Sequence, residues 1–224
     1  VHLVRLPPSQ RVWVFDLDNT LHDARAAIFP AMHGRINAFL RRELGLSDAE
    51  ADALRRRYWQ RYGMTLAGLV RHHGTDPRRF LAETHRFPEL ADLLVADNVV
   101  RHALARLPGR KLVFSNAPRP YVQAVLHGLG LGRFFEAVYT IETMRFRPKP
   151  SLAAFRTLLR AHDLDPRRCA LVDDALENLR AAKRLGMATV WVSARVASAP
   201  YVDLRVASVT ELPRRVFRHA TAAA

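Results

Sequence analysis

Two carboxylates stand two residues apart at the end of an apolar run, Val12-Trp13-Val14-Phe15-Asp16-Leu17-Asp18-Asn19-Thr20-Leu21. A run this apolar reads as a strand buried on both faces of a sheet. Asp16 then lies where the strand leaves the sheet, the place where open α/β folds bind ligands. Carboxylates in such surroundings need a metal, a cation or another charged partner. Three further positions place a polar group after an apolar stretch or loop: Ser115-Asn116, Lys149 and Asp173-Asp174. Parallel strands bring such ends to one edge. Hard oxygen ligands favour a hard cation, Mg2+ above others. A lysine and a serine supply the positive charge and the hydrogen-bond donor that a phosphoryl group needs. The set therefore suggests phosphoryl transfer rather than hydride transfer or peptide hydrolysis. Ser115-Asn116 and Asp173-Asp174 also suit the N-termini of the helices that follow them, a role compatible with binding phosphate.

These groups must be positioned by the elements around them. After Leu21, the stretch from His22 to Val95 contains no convincing strand. It reads as helices over 24–40, from Ser47 to about Tyr62, 66–73, and from Asp76-Pro77 toward Phe87-Pro88. Ser47-Asp48-Ala49-Glu50 offers a capping box, and Asp76-Pro77 an N-cap followed by a proline at the first helical position. From residue 96 onward, strands (111–115, 137–139, 169–172, 188–192, 204–206) alternate with helices (99–107, 120–128, 150–162, 176–185, 211–217). Such alternation predicts a mostly parallel sheet with helices on both faces. The helical block is then an insertion on the mouth of the sheet. The expected division is a core of residues 1–21 and 96–224 and an all-helical cap of residues 22–95.

The chain has 224 residues, 49% of them hydrophobic, enough for a large core with a small second unit. Its single cysteine, Cys169, excludes a disulfide framework and a Cys-rich zinc site, and its apolar setting predicts a packed thiol. No stretch has the character of a transmembrane helix, and Val1–Gln10, broken by Pro7-Pro8, lacks the layout of a signal peptide. The expected location is the cytoplasm, without a membrane partner. The formal net charge is +14, and the only lysines are Lys111, Lys149 and Lys183, so the excess is arginine. These arginines are scattered, without a basic tail or an aromatic-interleaved stripe. That argues against nucleic-acid binding and for a solvated surface that steers a small phosphorylated substrate.

In the order and spacing of four motifs the chain resembles the haloacid dehalogenase (HAD) superfamily. Asp16-Leu17-Asp18-Asn19-Thr20 is similar to its first motif, Ser115 to its second, Lys149 to its third and Val172-Asp173-Asp174 to its fourth. The resemblance runs from Arg11 to Phe217 and implies a Rossmann-like core with a small helical cap inserted after the first motif. It implies Asp16 as the nucleophile that forms an aspartyl-phosphate, a way of splitting one hard step into two. Asp18 is implied as general acid/base, its backbone carbonyl a ligand of the metal. Thr20 would order the loop and Ser115 would bind a phosphoryl oxygen, with the Asn116 amide helping. Lys149 would bridge Asp16 and the phosphate. Asp16 and Asp174 would ligate Mg2+, with Asp173 acting in support and Asn178 orienting that loop. Two departures stand out: Ala175 where relatives often carry Ser or Thr, and Arg147 where Gly is common, its side chain directed to substrate or to water.

The second carboxylate selects a branch. A halide leaves without a proton, whereas an alkoxide leaving from a phosphate ester needs one, so Asp18 points to a phosphatase. The segment Tyr58-Trp59-x-x-Tyr62-Gly63-Met64-Thr65-Leu66-x-Gly68-Leu69 resembles the cap of the pyrimidine 5'-nucleotidase group. This implies hydrolysis of nucleoside 5'-monophosphates, UMP or CMP, with Tyr62 near the substrate, by a monomer or homodimer. Tyr58, Trp59 and Tyr62 also stand at helical spacing, which packing of a helical bundle would produce. The other readings are a phosphatase for a small metabolite such as 2-phosphoglycolate or a sugar phosphate, and a non-catalytic binding or regulatory protein.

Overall fold

A computed structural model describes residues 10–95 and 98–221. The expectations for residues 1–9 and for the domain boundary at Ala96-Asp97 fall outside them. The sheet has six parallel strands: β1 (Val12–Phe15), β2 (Arg110–Phe114), β3 (Ala137–Tyr139), β4 (Cys169–Asp173), β5 (Ala188–Val192) and β6 (Leu204–Val206), in the order β3-β2-β1-β4-β5-β6. Every residue of β1, β4 and β5 is buried, the consequence of helices covering both faces. The chain winds outward from β1 through β2 to β3, then crosses to β4 on the other side. This places a switch point beside β1, where the C-terminal ends of the strands open a crevice.

Helices α1 (Ile28–Leu44), α2 (Asp48–Tyr62), α3 (Thr65–His73), α4 (Pro77–Thr84) and the single turn α5 (Leu90–Leu93) follow β1 without a strand between them. They pack on one another, α1 on α2 and α4 and α2 on α3. Phe39 meets Phe80 edge-on at 5.1 Å, and burial of each is worth about 1.5–3 kcal/mol. The capping box at Ser47 and Glu50 and the Asp76 cap are both formed; such a cap contributes about 1 kcal/mol. These helices are the cap of an α/β fold with a parallel sheet core. Helices α6 (Asn98–Arg106), α7 (Arg119–Gly128), α8 (Leu152–Ala161), α9 (Leu176–Arg184) and α10 (Leu212–Thr221) flank the sheet.

Two expected helices shift. The first begins at Ile28 rather than at residue 24 and continues to Leu44. Pro30 lacks an N–H and is tolerated only in a first turn, so the helix cannot start much upstream of it. The helix opened by Asp76 stops at Thr84, whose hydroxyl donates to the Phe80 carbonyl and pairs with the His85 ring. Cys169 is fully buried at the start of β4, and burial pushes its thiol up to about 12.

Candidate active site

Parallel register assembles the carboxylates. Phe15 pairs with Val113 on one side and Val172 on the other, so Asp16 emerges beside Asp173, its amide donating to the Val172 carbonyl at 2.9 Å. Lys149 arrives from the loop before α8 and is 1% exposed. Its ammonium donates to Asp16 Oδ1 at 2.8 Å and to Asp173 Oδ2 at 2.9 Å, and lies 5.2 Å from the centre of the Phe114 ring. Asn116 fixes the backbone of that lysine: the Lys149 N–H donates to Asn116 Oδ1 at 2.8 Å and Asn116 Nδ2 donates to the Lys149 carbonyl at 3.1 Å. Asn178 Nδ2 donates to both Asp173 oxygens at 3.0 Å, and the Ala175 amide donates to Asp173 Oδ1 at 2.9 Å. Asp173 is thus saturated by protein donors. Asp174, half-buried beside it, has the Asn19 side chain close by, which favours its charged form. Asn19 itself has a φ of 60°, a left-handed conformation that asparagine tolerates.

Oxygens of Asp16, Asp173 and Asp174 lie within 4.8 Å of one another. Three carboxylates around one ammonium leave two negative charges uncompensated in a buried place. Burial, with the neighbouring carboxylates adding to it, pushes Asp16 up to about 8 despite Lys149, and Asp174 up to about 6. Lys149 is held protonated: burial opposes its charge, but Asp16 and Asp173 outweigh burial and raise it. The donor set of hard oxygens and the missing positive charge fit a divalent cation such as Mg2+. Because Asp173 is already saturated, Asp16 and Asp174 are the side chains free to hold it.

Asp18 stands apart from that cluster. Its Oδ1 accepts from the Tyr121 hydroxyl at 2.6 Å and meets His22 Nε2 at 2.9 Å. Burial and the Asp18 charge raise the Tyr121 phenol far above its ordinary range, so Tyr121 is a fixed donor. The His85 ring lies edge-on to Tyr121 at 6.2 Å, and burial pushes that imidazole down to about 4. Neither Tyr121 nor His85 carries a sequence signal, since α7 and the end of α4 meet the first loop only in the fold. His22, four residues after Asp18, is the one that spacing could have suggested.

The structure adds detail at five of the expected positions. The Thr20 hydroxyl is buried without a hydrogen-bond partner, and the loop carries backbone contacts from the Thr20 and Leu21 amides to the Leu17 carbonyl and from the Ala24 amide to Asn19 Oδ1. The Asn116 side chain is spent on Lys149, which leaves only its amide for a phosphate. Ser115, 2% exposed, accepts from the Ala117 amide at 3.1 Å. Tyr62 is half-buried, its hydroxyl 2.6 Å from His72 Nε2, while Tyr58 is packed so closely on Gly68 that a Cβ there would lie 2.3 Å from its ring. Gly68 in the cap segment is therefore explained by Tyr58. Arg147 is exposed and turned toward α8.

Residues 11–186 match the family of haloacid dehalogenase-like hydrolases. The chain belongs to that family. It is 28% identical over 200 residues to phosphate metabolism protein 8 of Saccharomyces cerevisiae, covering 82% of this chain and 61% of that relative. The chain thus spans less than two thirds of the length of this relative. Among solved structures it is similar to CbbY from Rhodobacter sphaeroides in complex with phosphate, with a TM-score of 0.64, 22% identity, and 90% of this chain and 96% of that one covered. It is also similar to L-2-haloacid dehalogenase from Xanthobacter autotrophicus, with a TM-score of 0.59, 18% identity, and 92% and 98% covered. At these identities both likenesses concern the fold, and what this HAD hydrolase does rests on its own side chains.

Proposed function

We propose that this HAD hydrolase is a Mg2+-dependent phosphomonoesterase. The observation that carries the reading is the separation of two carboxylates: Asp16 sits in the cation cluster with Lys149, and Asp18 outside it on Tyr121 and His22. A dehalogenase needs the first and not the second. In the proposed cycle Asp16 attacks phosphorus, and the ester oxygen leaves as an alcohol with a proton from Asp18. Asp18 then takes a proton from water, which attacks phosphorus and releases phosphate from Asp16. Tyr121 and His22 hold Asp18 in place. Lys149 offsets the charge of Asp16 and of the phosphoryl group, while Ser115 and the Asn116 amide receive its oxygens. Mg2+, held by Asp16, Asp174 and the Asp18 carbonyl, would neutralise the transferring group. In this scheme residues 22–95 act as a cap that excludes water over the core of residues 1–21 and 96–224.

For substrate we propose pyrimidine nucleoside 5'-monophosphates, UMP or CMP, on the strength of the Tyr58–Leu69 segment. The name of the yeast relative, which concerns phosphate metabolism, is in keeping with a phosphatase. A second reading, a phosphatase for 2-phosphoglycolate or a sugar phosphate, is favoured by the packing of Tyr58 on Gly68 and the engagement of Tyr62 by His72. Both leave fewer aromatic faces for a base. Phosphate release with Mg2+ across nucleoside monophosphates, phosphoglycolate and sugar phosphates separates them, with Asp16→Asn as control. Selective release from UMP or CMP supports the nucleotidase, and preference for another ester supports the second reading. Turnover by Asp16→Asn equal to that of wild type would refute Asp16 as the nucleophile, and no release from any ester by the folded wild type would leave a binding protein.

A further inference from the structure

Helix α8 is two-sided. Ala154, Phe155, Leu158 and Leu159 face the core, while Ala153, Arg156, Thr157, Arg160 and Ala161 form the opposite stripe at i, i+3, i+4, i+7 and i+8. Small residues at 153, 157 and 161 leave a floor, and two arginines rise beside it. Facing this stripe is the turn before Lys149. Met144, 1% exposed, anchors it, and the amides of Arg145, Phe146 and Arg147 donate to the carbonyls of Glu142, Ile141 and Met144. Arg145 and Phe146 both have positive φ, 53° and 56°, a left-handed conformation that side-chain-bearing residues rarely adopt. The turn is therefore held against its local preference, and it directs Arg145 and Arg147 toward α8.

Turn and helix flank a half-open concavity of about 710 Å3, lined by Met144, Thr157, Ala153, Ala161 and four exposed arginines, Arg145, Arg147, Arg156 and Arg160. The carboxylate cluster contributes nothing to its wall. Among the described residues none of these four arginines forms an ion pair, whereas Arg35, Arg42, Arg55 and Arg79 of the cap all do. Four unneutralised guanidinium groups around one concavity repel each other, Arg156 and Arg160 at i, i+4 most directly. An anion removes that repulsion. Guanidinium forks match phosphate oxygens two at a time. The volume lies within the roughly 300–1,000 Å3 of small-molecule sites. No aromatic ring lines it, so it offers no platform on which a base could stack. Arg78 of α4, whose guanidinium carbon is 6.0 Å from the Phe146 ring centre, adds another positive charge beside the turn.

We propose that this cavity binds a compact polyphosphate, recognised through the charge and oxygens of linked phosphate groups alone. Such an anion arises as free inorganic polyphosphate or as the tail of a nucleoside triphosphate. Calorimetric titration of the full chain with tripolyphosphate, in excess Mg2+ and with orthovanadate saturating the carboxylate site, tests it. Saturable binding is expected, weakened about tenfold or more by Arg156→Ala/Arg160→Ala and less by the double lysine substitution, which keeps charge but loses the forks. Arg145→Ala/Arg147→Ala is the second pair should the first fail to fold. Turnover of p-nitrophenyl phosphate is expected to be unchanged in either pair. ATP is expected to bind as tightly as tripolyphosphate, which would show that its phosphates are what is read. No saturable binding, undiminished binding by both alanine pairs, or displacement by orthovanadate would overturn the proposal. So would loss of basal turnover in the alanine pairs, much tighter binding of ATP, or stronger binding of a single-stranded oligonucleotide at equal phosphate concentration, which would reassign the surface to nucleic acid.

Discussion

The lysine and tyrosine contacts of the sheet edge and the tyrosine–histidine contacts of the cap span very different lengths of chain. At the sheet edge Lys149 reaches Asp16 across 133 positions of sequence, and Tyr121 reaches Asp18 across 103. In the cap, Tyr58 meets His73 across 15 positions and Tyr62 meets His72 across 10. The first set exists only when strand register, crossover and loop are all correct. The second forms wherever α2 and α3 lie against each other. The carboxylate cluster thus depends on the most global features of the fold, and the aromatic contacts of the cap on local ones.

That contrast can be broken at Lys149. Lys149→Met removes the ammonium that serves two buried carboxylates and should cost about 3–5 kcal/mol, read by denaturant unfolding, with loss of turnover. A stability change within experimental error would mean that the cluster does not depend on this pair. In the cap, Gly68→Ala drives a methyl into the Tyr58 ring and should cost about 1–3 kcal/mol. Its kcat for a small ester such as p-nitrophenyl phosphate should stay at the wild-type value, and a fall in kcat as large as the stability loss would erase the distinction between the regions.

The Asp18 contact sharpens it. Tyr121→Phe should lower kcat on the order of tenfold with KM little changed, since it frees a proton-transfer group without touching the cation cluster. An effect on KM alone would place Tyr121 in substrate binding instead. The smallest expected effect is a pH-dependent one. Asp16 and Asp174 are raised in the folded chain to about 8 and about 6. The folded state then holds protons that the unfolded state has lost, so without metal stability falls as pH rises from the ordinary carboxylate range toward 8. Mg2+ should therefore raise Tm more at pH 8 than at pH 5, and an equal shift at both would show that these carboxylates do not carry the linkage.

Much of this was legible in the sequence because strands buried on both faces are unbroken apolar runs, and Asp16, Ser115 and Asp173 mark where three of them end. The order of polar residues after those ends sufficed to bring Asp16, Lys149 and Asp173 together. Tyr121 was not legible, because its place depends on how the first turn of α7 lies over the β1 loop. The arginines at 145, 147, 156 and 160 read as scattered along the chain and converge only when the turn after β3 folds back on α8. Tyr58 and Tyr62 were open to two readings because one spacing serves both packing and binding.

Gly63 gives the locality of the cap a boundary. It closes α2 at a φ of 74°, and a Cβ placed there would stand 3.4 Å from both the Lys149 carbonyl oxygen and Pro150 Cδ. Other constraints on the cap, such as Gly68 under the Tyr58 ring, are set within the cap itself. At position 63 the cap turn runs alongside the peptide that carries the Lys149 ammonium, so a side chain there would touch that peptide while holding a left-handed backbone. A substitution at position 63 is therefore felt in two places at once, at the end of α2 and at the backbone of Lys149.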